Sequence, residues 1–212
     1  MQVIILLALT GAAAGLTGHH LLGRLRRGTT VHKGWIAAGV AVLWALAGWR
    51  LSEGHLPWWW LPVSLVVAWF AVLLTAVDLK HRRLPNALTM TAYPAVAATT
   101  ALASTQAGWQ LAQGAALGAA ALGLLYLTMH VLNPAAMGAG DVKLSGSQGA
   151  VLGALGWPAV ALGVLAAAVL TLLLNALTPR RIRKKWQTGI PHGPGLLAAT
   201  YALATFPTHA SP

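Results

Sequence analysis

The sequence predicts an all-α protein, a polytopic bundle of about eight membrane helices (range six to eight) with its N-terminus outside. Three observations predict it. Hydrophobic residues make up 57% of the 212 residues and charged residues only 8%, against roughly 25% charged in ordinary soluble chains. Several apolar runs approach or exceed the ~20 residues that cross a bilayer as a helix. The basic residues, which leave a formal charge of +11, lie in short clusters between those runs, where membrane topology puts them. A strongly basic chain also suits nucleic acid. Clusters set between membrane segments suit anionic lipid head groups instead, so lipid is the expected partner and nucleic acid is not. The chain has no cysteine, which excludes disulfides and thiolate metal sites. One integral membrane domain over residues 1–212 is expected.

The elements follow in order. Residues 2–22 are apolar, and Ala12-Ala13-Ala14 would pass for a cleavage region. Arg24, Arg26, Arg27 and Lys33 come after the apolar core, whereas a signal peptide carries its charge before it. The segment therefore reads as a retained helix, with His19 and His20 as interfacial residues. A second, short segment runs from Trp35 to Trp49, and the loop Arg50–Pro57 carries Glu53 and His55. Trp58, Trp59 and Trp60 open the third segment, since clustered tryptophans favour the membrane–water interface. Pro57 to Asp78 makes ~33 Å of helix, enough to cross the ~30 Å hydrocarbon core.

The basic loop Leu79–Asn86 ends in Pro85-Asn86, a turn before a new helix. Segment four is expected at about Ala87–Ser104, and segment five, after a weak loop at Thr105–Gly108, at about Trp109–Leu132. Asn133-Pro134 stops it. Residues 142–156 make a short, Gly-rich sixth helix bounded by Gly156-Trp157-Pro158. Segment seven covers Ala159–Leu177, and Arg180, Arg181, Arg183, Lys184 and Lys185 follow it. A last short segment ends near Phe206. In this arrangement every Lys and Arg except Arg50 falls on one side, expected to be the cytoplasm.

The chain has three acidic residues, Glu53, Asp78 and Asp141. A charge at the centre of a membrane helix costs ~2.5–3.5 kcal/mol on insertion scales, so such residues mark function or pairing. Asp78 ends segment three and Asp141 begins segment six, and the parity of the crossings puts both at one membrane depth. Two nearby carboxyl groups share a proton. The ionised member can then take a proton from water while the protonated one polarises a peptide carbonyl, which is aspartic proteolysis. Gly138 and Gly140 are expected to adopt backbone conformations closed to other residues and to let a substrate strand approach. Lys143 is placed to hold an ionised carboxylate or to anchor the helix at the head groups.

Other readings compete. An Asp at a helix start is commonly an N-cap, and Asp78 has Lys80 and Arg82 near it as pairing partners. His130 reads as a residue packed in segment five. A proton- or cation-coupled transporter would also use an acidic pair, with its carboxylates near mid-bilayer. No cofactor and no metal is called for by any of these residues.

Gly138-Ala139-Gly140-Asp141-Val142-Lys143 resembles the Gly-x-Gly-Asp-x-Lys motif of the type IV prepilin peptidases. Asp78 with Lys80, His81, Arg82, Arg83 and Pro85-Asn86 is similar to that family's first aspartate motif. Ile190-Pro191-His192-Gly193-Pro194 is similar to a third family stretch, with His192 standing where the family usually has an aromatic residue. The three motifs fall in family order within residues 57–207. The resemblance implies an integral membrane aspartic endopeptidase of the cytoplasmic membrane, with Asp78 and Asp141 as its catalytic pair and the active site facing the cytoplasm. Its substrates would be prepilins or pseudopilins, cut after a glycine to remove a short basic leader for type IV pilus assembly or protein secretion. Gly138, Gly140, Lys143, Pro85, Asn86, Pro191, Gly193 and Pro194 are carried over as supporting motif residues. Many family members hold zinc through cysteines in an insertion between the first two helices and also methylate the product. Here that loop is only Gly23–Gly34, so the resemblance implies a peptidase without methyltransferase activity. The presenilin type of Gly-x-Gly-Asp protease has Tyr before its first aspartate and a later Pro-Ala-Leu, where this chain has Val77 and lacks that stretch.

Overall fold

The structure, a computed structural model, describes residues 1–25, 31–81, 84–134, 137–179 and 191–207. Arg26, Arg27, Arg82, Arg83, the basic cluster Arg180–Lys185 and Ile190 lie outside them. The described residues form eight helices: α1 (Gln2–Arg24), α2 (Lys33–Ser52), α3 (Leu61–His81), α4 (Asn86–Ala107), α5 (Trp109–Leu132), α6 (Ala139–Ala154), α7 (Trp157–Leu177) and α8 (Gly193–Thr205). This is the expected all-α bundle. Helices α1, α2, α3, α5 and α7 are long and apolar enough to cross a membrane.

The other three are accommodated differently. Helix α4 is long but rich in threonine, and Thr91, Thr99 and Thr100 each donate to a carbonyl one turn back. Those bonds satisfy the hydroxyls without water. Helices α6 and α8 have 16 and 13 residues, or ~24 and ~20 Å, shorter than the hydrocarbon core. Both are sheathed in protein. Helix α8 buries ten of its residues, packed between α3, α6 and α7. With α3, whose buried residues run from Val63 to Asp78, it forms the centre of the bundle.

Two joints turn on a glycine. Gly108 between α4 and α5 has φ of 94°, and Gly156 between α6 and α7 has φ of 105°. Only glycine occupies that region without strain, so the chain turns back within one residue between α4 and α5 and within two, Leu155 and Gly156, between α6 and α7. The loop expected at Thr105–Gly108 is thus almost entirely helix. Helices α5 and α6 touch backbone to backbone, and a Cβ on Gly118 would collide with the Gly149 carbonyl oxygen. Small residues allow this close approach inside a membrane. Gly118→Val is expected to cost ~1–3 kcal/mol by overpacking, read as a lower melting temperature in detergent. An unchanged melting temperature would mean that the two helices do not meet here.

Among the described residues the tryptophans divide into two groups, which corrects the expectation for Trp60. Trp58, Trp59 and Trp60 form a turn ahead of α3. Trp58 is 66% exposed, but Trp60 is 2% exposed and its indole N–H donates to the Ala204 carbonyl at 2.8 Å. Ser64 donates to the same oxygen. Ala204 lies in the last turn of α8, where carbonyls lack helical partners, so donors from α3 and the turn ahead of it supply them. Trp44 and Trp69 likewise donate to Leu65 and Ala14 carbonyls on neighbouring helices. Trp35, Trp109 and Trp157 are exposed near the starts of α2, α5 and α7.

Candidate active site

Three helix ends build the site. Asp78 lies in the last turn of α3, Asp141 in the first turn of α6, and Gly193 opens α8. Asp78 is 6% exposed and Asp141 is half-buried. A Cβ built on Gly193 would sit 3.0 Å from Asp78 Oδ2 and 3.3 Å from Asp141 Oδ1. The two oxygens are therefore no more than about 6 Å apart, near enough for the charge on one carboxyl group to oppose ionisation of the other. The Asp78 carboxyl group acts electrostatically on Asp141, and the Gly193 backbone N–H lies near Asp141. The pair placed at one depth by counting crossings is thus brought face to face across a glycine.

Asp141 is not an N-cap. Helix α6 begins at Ala139, with Gly138 in the cap position and no side chain closing the helix. The carboxylate is left for the space shared with Asp78. The reason expected for the glycines also changes. Gly138 has φ of −69°, ordinary for any residue, and Gly140 is helical. What they supply is room: a Cβ on Gly140 would meet Leu84 Cβ at 3.2 Å, and one on Gly138 would meet Asp141 Oδ2 at 3.4 Å.

Lys143 does not hold a carboxylate; its ammonium donates to Asn86 Oδ1 at 3.0 Å. It thereby ties the exposed start of α4 to α6. Pro85 is the N-cap residue of α4, and its fixed φ suits a chain entering a helix. Pro191 is buried just ahead of the site. Pro194 stands in the first turn of α8, where its missing N–H costs nothing.

Several residues were not assigned to the site from sequence. Leu84 packs on Gly140 and reaches toward Gly193, an apolar side chain inside a basic loop. His130 on α5 bonds through Nδ1 to the Met137 carbonyl at 2.7 Å, fixing the chain just before Gly138. Tyr126 is 2% exposed, lies near enough to Asp141 to feel its charge, and bonds to His192 Nε2 at 2.7 Å. Thr171 bonds to the other ring nitrogen at 3.0 Å. The signal for these was weak: one tyrosine in segment five, one threonine in segment seven, and a histidine where an aromatic residue was expected. Among the described residues no group of three or more His, Asp or Glu could hold a metal ion.

No curated protein and no solved structure matches the chain. A model of the type IV leader peptidase family matches residues 65–176. That match covers more than half of the sequence and takes in both aspartates, Pro85-Asn86 and the whole Gly138–Lys143 motif. It ends ahead of the Pro191–Pro194 stretch, so Gly193 enters the site on geometry alone. On this match the chain belongs to the type IV leader peptidase family.

Proposed function

We propose that this membrane peptidase is an aspartic endopeptidase that uses Asp78 and Asp141 to remove the leader of prepilin- or pseudopilin-like substrates. The observation that carries the reading is the convergence of both carboxyl groups on Gly193. One ionised and one protonated carboxyl are what water attack on a peptide requires. The ionised group takes a proton from water as its oxygen attacks the scissile carbonyl carbon. The protonated group hydrogen-bonds the carbonyl oxygen as negative charge develops there. Collapse of the tetrahedral intermediate breaks the C–N bond, and a carboxyl proton passes to the leaving nitrogen. No metal is needed for these steps.

The basic residues around the ends of α1 and α3 and the start of α2 support an active site at the cytoplasmic face of the cell membrane, with anionic lipid against them. Both carboxyl groups lie at helix ends, which does not favour a coupled transporter built around mid-bilayer carboxylates. A loop of only Gly23–Gly34 without cysteine supports a dedicated peptidase with no methyltransferase activity. The test is co-expression with a panel of prepilin-type substrates, followed by gel mobility and N-terminal sequencing of the product. Leader removal by the wild type supports the reading, and its persistence in either aspartate variant described below would overturn it.

A further inference from the structure

His192 is held at both ring nitrogens, and the donors can be assigned. The Thr171 hydroxyl donates to the Ala167 carbonyl at 2.7 Å, so its oxygen can only accept from His192 Nδ1 at 3.0 Å. Nδ1 therefore carries the proton, Nε2 is the acceptor, and the Tyr126 hydroxyl donates to it at 2.7 Å. The result is one directed chain: Tyr126 O–H to Nε2, Nδ1–H to Thr171, and Thr171 O–H to a backbone carbonyl. It links α5, α8 and α7 through a neutral imidazole. Burial agrees with that state, holding the His192 pKa below the usual histidine value. The backbone carbonyl of His192 is occupied too, accepting from Leu196 N–H at 3.1 Å.

The next residue is Gly193, whose backbone N–H lies near Asp141 and whose Cα faces both carboxyl groups. The peptide between His192 and Gly193 thus runs from the hydrogen-bonded imidazole to the aspartate pair. We infer that His192, locked in its Nδ1–H tautomer by Tyr126 and Thr171, is a positioning residue that aims the Gly193 N–H at Asp141 and sets the spacing of the aspartate pair. The inference rests on the paired-aspartate reading. A phenyl ring would fill the same space but could not be oriented by either hydrogen bond. The side-chain hydrogen bonds of Tyr126 and Thr171 at this site go to His192, and both residues act through it.

The test is steady-state kinetics of the full-length enzyme in detergent, on a prepilin-type substrate that the wild type cleaves. Tyr126→Phe removes one hydroxyl and keeps the ring. It is expected to lower kcat by ~10-fold through misplacement of the catalytic groups, with KM within about twofold and an unchanged melting temperature. His192→Phe should lower kcat at least as much. The double variant should be no worse than His192→Phe, because either change breaks the same bond. His192→Gln, whose amide oxygen can accept from Tyr126, should restore part of the rate. Wild-type kcat in both Tyr126→Phe and His192→Phe, additive losses, or losses confined to KM or melting temperature would overturn the inference. Asp141→Asn separates the two ideas. Cleavage that survives it overturns both, whereas loss there with full kcat in His192→Phe overturns only the positioning role.

Discussion

Asp78→Asn and Asp141→Asn should each reduce leader cleavage by at least ~10²–10⁴-fold, the range lost with a general acid or base. The amide is isosteric with the carboxyl group, so packing around the ends of α3 and α6 is kept. It neither takes a proton from water nor gives one to the leaving nitrogen, so either substitution disables the pair. Stability should hold or rise, because two carboxyl groups about 6 Å apart or less repel when both ionise. Cleavage rates, membrane abundance and melting temperature should be compared for the three proteins. Loss of cleavage at equal abundance establishes the pair. Wild-type cleavage in either variant would show that Asp78 and Asp141 are structural.

Gly193→Ala should cost ~10²-fold in cleavage, the scale associated with displacing reacting groups by about 1 Å. The added methyl would stand 3.0 Å from Asp78 Oδ2 and 3.3 Å from Asp141 Oδ1, with Leu84 Cδ1 at 3.6 Å behind it. Leu84 is buried, so the relief comes from the carboxyl groups moving apart. Gly193→Val should be worse. Ala198→Val, at an exposed position of the same helix, should cleave as the wild type does. Both Gly193 variants should also keep KM within about threefold if the damage is to the spacing of the pair and not to substrate binding. Full activity in Gly193→Ala would mean that Gly193 does not separate the two aspartates.

Much of this was legible in the sequence. The ends of α5 are those expected from Trp109, Leu132 and Asn133-Pro134, and α7 ends at Leu177 as expected. Gly and Pro punctuation and long apolar runs are local signals, and each reports one boundary. The pairing of Asp78 with Asp141 was legible through parity, since two crossings return the chain to the same side. The errors share a cause. Trp60 was read as an interface residue because composition says where tryptophan is common, not which carbonyl its N–H meets. Gly138 and Gly140 were given a conformational role because a glycine's need for space depends on a neighbour such as Leu84, which lies outside their local sequence.

By itself the sequence determined that this is a multi-helix membrane protein with two aspartates at one end. A bilayer leaves backbone groups no partner but their own helix, so hydropathy and charge decide number, length and order of segments. What only the tertiary structure decided is that Gly193 separates those aspartates and that His192 is held by Tyr126 and Thr171. Helices α3 and α8 are apolar nearly all round, so no stripe in either announces which face meets which neighbour. That choice depends on close packing among all the helices at once, on contacts such as Gly118 against Gly149. The site exists where three such choices coincide.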